Sequence, residues 1–583
     1  MAAPGKLPNM LYWGDNLTIL RDRDKFPSES IDLVYLDPPF NSNQDYNVLF
    51  AERDGSRSPA QIEAFSDTWR WDASARHTFD ETIEQGGKAA EALGAFRSLV
   101  GESDMLAYLS MMAPRLVELR RVLRPTGSIF LHCDPTASHY LKLLMDSILG
   151  PANFRNEIVW KRRTGSSSQV HISNKFGACT DSLLFYARSD KGKFFPQYNA
   201  DAPGYQDYIE KAFRFHDENG RRYRIDNLAN PAPRPNLMYE YKGYKPPKNG
   251  WAISREKMEL WDREGRLEFP KSPDGRIQRR RFLDEVKGRP VQSLWDDIEP
   301  ISSQAGERLG YPTQKPEALL ERIINASTEP GDTVLDPFCG CGTTIAAAQR
   351  LGRRWIGVDI THLAITLIRS RLADSYGEKV SYKVVGEPAD LPGAEALAKL
   401  DRYQFQWWAL GKIGARPVAE ERKKGADSGI DGKLFFREKE NGDVKTLVIQ
   451  VKSGGLKLSE VRDFGRVIER EKAQIGVLLA LDEPTRDMRT EAASMGYYKP
   501  EYRLSQDDKY DRYQILSIRQ LFEGARPQFP PFRNVTFKTA PEATAAKPAR
   551  KGRITKLSLP GFSGQGVLRA AGDDPGTDDA QGG

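Results

Sequence analysis

Apolar residues recur along this chain in two rhythms. Between 104 and 124, Met105, Leu106, Leu109, Met112, Leu116 and Leu119 fall on one stripe, at the spacing of a helix that buries one face. In "TLVIQVKSGG" (446–455) the spacing is two. Leu447, Ile449 and Val451 share one face of a strand, and Val448, Gln450 and Lys452 share the other. The plain reading is a half-buried strand whose polar face meets water. "GSIFLHCD" (127–134) predicts a further strand and 138–149 a further helix. Residues 10–50 read as strand, loop, strand, loop, with the apolar run "IDLVYLDPPF" (31–40) ending in an acid and two prolines. From about 160 to 310 regular periodicity fades, and Arg, Lys, Tyr, Trp, Pro and Gly crowd in. Strand–helix–strand order returns in "DTVLDPFCGCGTTIAAAQRLGRRWIGVDI" (332–360). After a join near 390–400, a smaller α/β block runs to about 525. The tail from 526 is rich in Pro, Ala, Lys and Gly, a composition that favours disorder.

The expected fold class is therefore α/β, and 583 residues are too many for a single core. The longest apolar runs, such as "IGVLLAL" (475–481), are strand-sized, far short of the ~18 residues that would span a bilayer. The opening "MAAPGKLPNM" has no apolar signal core. Four cysteines do not make a disulfide framework, and a cytoplasmic protein is expected. The net charge of +6 is mild and says little alone. No GxxxxGK[ST] phosphate loop is present, so nothing points to an ATP-driven motor.

Two stretches carry chemistry in the first part. "VLDPFCGCGTT" lies between an apolar strand and a helix, and glycines there let a backbone turn tightly around a ligand. The next strand, "RRWIGVDI", ends in Asp359, where an acid can take ribose hydroxyls. In "DPPF" (37–40), two prolines lack donors and keep free carbonyls, Asp37 adds a carboxylate and Phe40 a ring. Acceptors beside a ring suit an amino group on a planar base.

Together, "DPPF" and "DPFCGCGTT" resemble the amino-methyltransferases of DNA, in the order of that family's beta group. "YWGDNLTIL" (12–20), "SIFLHCDPTASHYLKLLMD" (128–146), "NEIVWKRR" (156–163) and "YPTQKPEALLERII" (311–324) extend the likeness over about 10–385. The resemblance implies a Rossmann-like S-adenosylmethionine-dependent methyltransferase with an inserted target-recognition region. Asp37, Pro38, Pro39 and Phe40 would hold the exocyclic nitrogen of a flipped base, which attacks the methyl group with no covalent enzyme intermediate. Phe338, Gly340 and Gly342 would cradle the methionine part, with Asp336 beneath the turn, and Asp359 would take the ribose. Thr313, Gln314 and Lys315 would form the pocket's other wall, and Asp15 would approach the adenine. An Asp-Pro-Pro-aromatic motif is more typical of adenine enzymes, so N6-adenine is the expected target and N4-cytosine the alternative. The expected partner is double-stranded DNA and no membrane, with the oligomeric state left open, a dimer included. Between 213 and 289 bases and rings interleave, as in "YEYKGYKPPKNGW" and "RIQRRRF", and Arg279 and Arg280 are expected to meet phosphates.

The second part returns to the strand at 446–455. Upstream, "KKGADSGIDGKLFF" (423–436) bends around Asp431, far enough away for a hairpin to bring it beside Gln450. An acid, an oxygen ligand and the cation Lys452 suit a magnesium-dependent cut, with Asp431 and Gln450 as metal ligands. Asp431…Gln450-x-Lys452 resembles the restriction-endonuclease-like fold, and "GIDG" with the aromatic helix "DRYQFQWWALGKIG" (401–414) resembles its Mrr-type branch. Gln in place of Glu removes a negative charge, which leaves open a domain that only binds DNA. The expected division is 1–160, methyltransferase catalytic half; 161–310, target recognition; 311–395, cofactor-binding half; 396–525, endonuclease-like domain; and 526–583, flexible tail. RNA or protein methylation, or a DNA-binding module with dead sites, are the rival readings.

Overall fold

The computed structural model describes residues 7–39, 70–162, 178–302 except 273, 305, 307–309, 311, 313–418, 429–439, 442–501, 509–530 and 533–534. Phe40 therefore lies outside the described residues.

A nine-stranded sheet dominates the first part. Its strands run in the order Leu294–Trp295, Phe154–Lys161, Thr180–Ala187, Leu123–Cys133, Ile31–Leu36, Thr333–Asp336, Arg354–Asp359, Met10–Trp13 and Lys383–Val385. Thr180–Ala187 runs antiparallel to both its neighbours, and the other pairings are parallel. Alternate residues of each central strand enter two different cores. Val34, Leu36, Ile129 and Leu131 pack against the helices Ala73–Gln85, Gly87–Val100, Asp104–Val122 and Ser138–Leu149. Leu33, Tyr35 and Phe130 pack against Glu317–Ser327, Thr343–Arg350 and His362–Tyr376. Strands covered on both faces have no solvent side, which is why "IDLVYL" is apolar on both faces apart from Asp32, whose buried carboxylate accepts from Thr333 N.

Chain order and sheet order differ in one informative way. The first strand, Met10–Trp13, pairs with Arg354–Asp359 and Lys383–Val385, in the half that follows the middle region. Ile31–Leu36 and Thr333–Asp336 meet at the sheet centre, with Val34 opposite Leu335. Their carboxyl ends put Asp37 and Asp336 side by side, and Asp359 ends the next strand.

The middle region is more regular than its sequence suggests. Phe215–His216, Arg222–Asn227, Gln278–Phe282 and Leu267–Glu268 form a four-stranded sheet. Leu228, Tyr241, Trp251, Met258, Leu267 and Ile277 make a small core of their own. These strands have two to six residues and carry their arginines half-buried, so no alternating pattern marks them.

The last part is a second sheet, in the order Arg416–Pro417, Gly432–Arg437, Lys445–Lys452, Ile475–Ala480 and Tyr513–Ser517. It corrects the half-buried reading of Lys445–Lys452. Leu447 and Ile449 pack on one side against the helix Arg402–Lys412, while Val448 packs on the other against Leu458–Arg470. Both faces are covered, and Gln450 and Lys452 are polar because they stand at the strand's carboxyl end.

The helix Arg402–Lys412 also packs on His362–Tyr376 of the first part. A Cβ on Gly411 would stand 2.5 Å from Thr366 Oγ1 and 2.7 Å from His362 Cε1, so only glycine allows this approach. Beside it, the Glu387 carboxylate accepts from Arg369 Nη1 (3.0 Å) and Lys412 Nζ (3.2 Å) and pairs with His362 Nε2 at 2.8 Å. Among the described residues, no helix is long and apolar enough to cross a membrane.

Candidate active sites

A cavity of about 200 Å³ opens at the carboxyl ends of the central strands. Asp37, Pro38 and Pro39 line it beside Asp336. Phe338, Gly340 and Asp359 line it too, and Asp15, Thr313, Gln314 and Lys315 complete the wall. Gly342 is the exception. It starts the helix Thr343–Arg350 with φ +75°, and a Cβ there would stand 2.6 Å from Ile368 Cγ1. It shapes the turn and the packing behind it, without lining the cavity.

The glycine turn is braced from both sides. Gly340 N donates to Asp359 Oδ2 at 2.9 Å, and Asp359 Oδ1 accepts from Thr361 N and Oγ1 at 2.9 and 2.8 Å. Phe338 N donates to Asp336 Oδ1 at 3.1 Å. Gly340 has φ +49°, and its missing Cβ would stand 3.1 Å from the Tyr311 ring. A side chain there would strain the turn and fill the space beside the cavity. Burial pushes the Asp336 carboxyl up to about 7, although hydrogen bonds from Thr344 and Phe338 oppose the rise. Asp359 is raised by burial as well.

Asp37 is held by Lys315, whose ammonium lies 2.5 Å from Oδ2. Its other oxygen, Oδ1, is buried and has no hydrogen-bond partner among the described residues. A buried acceptor without a donor is costly, and it marks the place where a ligand's N–H fits. Cys339 and Cys341 also line the cavity, but burial pushes both thiols up. They are held protonated and are poor nucleophiles.

Several residues that shape the cavity had no signal in the sequence. Asn16 Nδ2 donates to Pro337 O at 2.8 Å, and Arg115 Nε donates to Asn16 Oδ1 at 2.6 Å. Arg115 Nη2 reaches Asp15 Oδ1 at 2.6 Å, so a helix arginine pins the loop after the first strand to the glycine turn. Asp15 itself caps the helix Asn16–Arg21, accepting from Thr18 N at 2.8 Å. Both its oxygens are engaged in this brace. Tyr35, on the same face of its strand as Asp37, lines the cavity too.

In the second sheet, Gly432 pairs with Ile449, so the hairpin sets Asp431 across from Gln450. Asp431 Oδ2 accepts from Val451 N at 2.6 Å. Lys452 Nζ lies 3.0 Å from Glu460 Oε1, on the following helix. Glu460 Oε2 accepts from Lys457 N at 2.9 Å. Burial works against the Glu460 charge, yet that hydrogen bond and Lys452 hold its carboxyl below the usual range. Glu460 is a neighbour that no spacing in the sequence marks.

In the middle domain, Arg280 Nε donates to Glu268 Oε2 at 2.7 Å and its guanidinium sits over Tyr223. The Arg279 guanidinium sits 4.2 Å from the centre of the Trp261 ring. Arg280 is thus paired within the small domain, whereas the Arg279 Nε has no hydrogen-bond partner among the described residues. Lys245 and Lys248 are exposed.

A family model described as DNA methylase matches residues 31–370. The chain belongs to the DNA methylase family. A second model, of restriction endonucleases of the Mrr catalytic type, matches 404–499, so the chain carries a C-terminal domain of that family. The chain is 28% identical over 373 residues to the type II methyltransferase M.EcaI of Enterobacter cloacae, covering 63% of this chain and 70% of that one. It is 27% identical over 396 residues to the Mod subunit of the type III restriction-modification enzyme StyLTI of Salmonella typhimurium, covering 65% and 55%. It is 26% identical over 382 residues to the DNA adenine methyltransferase YhdJ of Escherichia coli, covering 65% and 88%. Among solved structures it is similar to the cytosine-N4-specific PvuII DNA methyltransferase, with 14% identity, 62% and 88% coverage and a TM-score of 0.28. The M1.HpyAVI–SAM complex matches with 15% identity, 62% and 99% coverage and a TM-score of 0.28.

Proposed function

We propose that this methyltransferase uses S-adenosylmethionine to methylate the exocyclic amino group of a base in DNA, with N6-adenine as the target. The observation that carries this reading is the single cavity joining the Asp37 acceptors to the Gly340 turn. S-adenosylmethionine, when bound, supplies an electrophilic methyl group and keeps the bonding pair on sulfur. Phe338 and Gly340 would hold its methionine part and Asp359 its ribose, with Tyr311, Thr313 and Gln314 closing the pocket. Asp37 and the carbonyls of Pro38 and Pro39 accept from the base's N–H groups and turn its lone pair toward the methyl. The protonated thiols of Cys339 and Cys341 fit a direct transfer, which needs no thiolate. N4-cytosine is the second reading, because the same acceptors at Asp37, Pro38 and Pro39 would serve its amino group as well.

The region 161–310 is the proposed reader of the target sequence, between a catalytic half at 1–160 and a cofactor half at 311–395. The domain at 396–525 is the proposed endonuclease. Asp431 and Gln450 would hold a magnesium ion, an ion that takes oxygen ligands and keeps several waters. Lys452 would stand beside the phosphate under attack.

The test is to incubate the protein with unmethylated DNA, labelled S-adenosylmethionine and Mg²⁺, beside Asp37→Ala and Lys452→Ala. N6-methyladenine in the nucleosides from the parent, lost only in Asp37→Ala, supports the first half. N4-methylcytosine as the sole product overturns the base assignment. Cutting lost in Lys452→Ala supports the second half. Methyl transfer without cutting of either unmethylated or methylated DNA leaves a DNA-binding domain there.

A further inference from the structure

A chain of three buried side chains leads away from the cavity, starting at Tyr35 in its lining. The hydroxyl of Tyr35 lies 2.9 Å from His132 Nδ1, and His132 Nε2 lies 3.1 Å from Asp181 Oδ2. Tyr35 and Asp181 are each 2% exposed and His132 is fully buried. The three sit near the carboxyl end of Ile31–Leu36, the carboxyl end of Leu123–Cys133 and the start of Thr180–Ala187, which are neighbours in the sheet. The edge of the His132 ring meets Trp160 at 5.8 Å and 89°. Arg162 Nε stands 3.2 Å from Asp181 Oδ1.

The partners fix the protons. Burial works against a charge on Asp181, but His132, Lys315 and Arg162 hold its carboxyl below the usual range, so it is an acceptor. His132 then donates from Nε2 to Asp181, and in the neutral ring Nδ1 offers a lone pair. Tyr35 donates its hydroxyl proton to that lone pair. The Tyr35 oxygen therefore presents its own lone pairs as acceptors, on the strand face that carries Asp37.

We propose that Tyr35, His132 and Asp181 form a proton relay that takes the proton shed by the base's amino nitrogen during methyl transfer. The inference rests on the function proposed above. The nitrogen lone pair forms the new N–C bond, and the nitrogen becomes cationic. One N–H bond breaks as a Tyr35 O–H bond forms, and the original Tyr35 proton passes to His132 Nδ1. The imidazolium so formed faces the Asp181 carboxylate, which stabilises it as a buried partner charge. When product leaves, the proton returns through Tyr35 to water in the emptied cavity. Tyr35 is the catalytic residue here; His132 stores the proton and Asp181 is a positioning residue that sets the tautomer.

Single-turnover methyl transfer into DNA, without Mg²⁺, tests this on the full chain. Tyr35→Phe removes only the hydroxyl. Asp181→Asn keeps that hydroxyl but turns the tautomer, because its amide donates to Nε2 and puts the ring proton on Nδ1. Each variant should slow transfer on the order of 100-fold, the lower end of what general acid–base groups supply. Their affinities for S-adenosylmethionine and DNA should stay within about twofold, and the double variant should be no slower than the slower single, as for residues acting as a unit. Parent-like rates in both variants, or slowing matched by weaker binding, or a multiplicative double, would overturn the relay. If Asp181→Asn does not fold, Tyr35→Phe alone decides. Asp37→Ala separates the two claims. A parent that transfers nothing, or an active Asp37→Ala, defeats the methyl-transfer reading at this cavity. Parent activity lost in Asp37→Ala upholds that reading, and the rates of the Tyr35 and Asp181 variants then decide the relay.

Discussion

Asp336 is expected to make the ligand-free protein less stable at neutral pH than it need be. Its carboxyl is 3% exposed, and burial raises it from 3.8 to about 7. The nearby charges of Asp37 and Asp359 push the same way. A group whose affinity for a proton is higher folded than unfolded contributes its full stability below the unfolded value. That contribution drains away as pH rises to the folded value. At ~1.4 kcal/mol for each tenfold change in proton affinity, the rise amounts to about 4 kcal/mol, lost between pH 3.8 and about 7.

Asp336→Asn removes the titration while keeping an oxygen for the Phe338 N–H. The variant should therefore be more stable than the parent at pH 8, and the gap should grow by about 2.5 kcal/mol between pH 5 and 7.5. Urea denaturation of the parent and variant across that range, each without ligand, measures it. A gap that stays constant with pH would show that Asp336 is not protonated in the folded protein, and would refute the argument. A gap that narrows with rising pH would reverse its sign.

Two further predictions concern charges elsewhere. Replacing Lys245 and Lys248 with alanine should weaken DNA binding alike for all sequences and flatten the dependence of log affinity on log salt by about two, one for each phosphate no longer neutralised; an unchanged slope places the DNA on another face. Glu387 joins the two domains: burial resists its charge, but His362, Arg369 and Lys412 hold its carboxyl at about 2. Glu387→Gln should cost roughly 3 kcal/mol at pH 7 by denaturant unfolding, as for one partner removed from a buried pair. Because the folded value is depressed, that penalty should be present above pH 4.5 and shrink toward pH 2; a penalty independent of pH would assign it to packing.

What the sequence disclosed was local. The Gly340 turn, the acid at Asp359 and the Asp37–Pro38–Pro39 corner are short stretches whose residue types announce their backbone, and all of them line one cavity. Gly342 was legible as a turn residue, but its reason is the Ile368 side chain behind it, which no spacing reveals. The helices Ala73–Gln85 and Gly87–Val100 are short of large apolar residues, with buried alanines at 89 and 90, and so carried little periodic signal. In the middle domain, short strands with half-buried arginines read as loop.

The residues that were not legible share a physical property: their roles come from partners far along the chain. Arg115 is one more arginine on an apolar helix until it reaches Asn16 and Asp15. His132 and Asp181 lie on adjacent antiparallel strands, and only that pairing lets a carboxylate orient an imidazole beneath Tyr35. Glu460 and Glu387 likewise take meaning from Lys452 and from an imidazole and two cations, His362, Arg369 and Lys412, of two domains. A motif records where the backbone must bend or accept, because those demands fall on neighbouring residues. Where protons and charges rest is decided across strands and helices. The corner proposed to hold the base is therefore written in consecutive letters, while the residues proposed to move its proton are scattered over three strands.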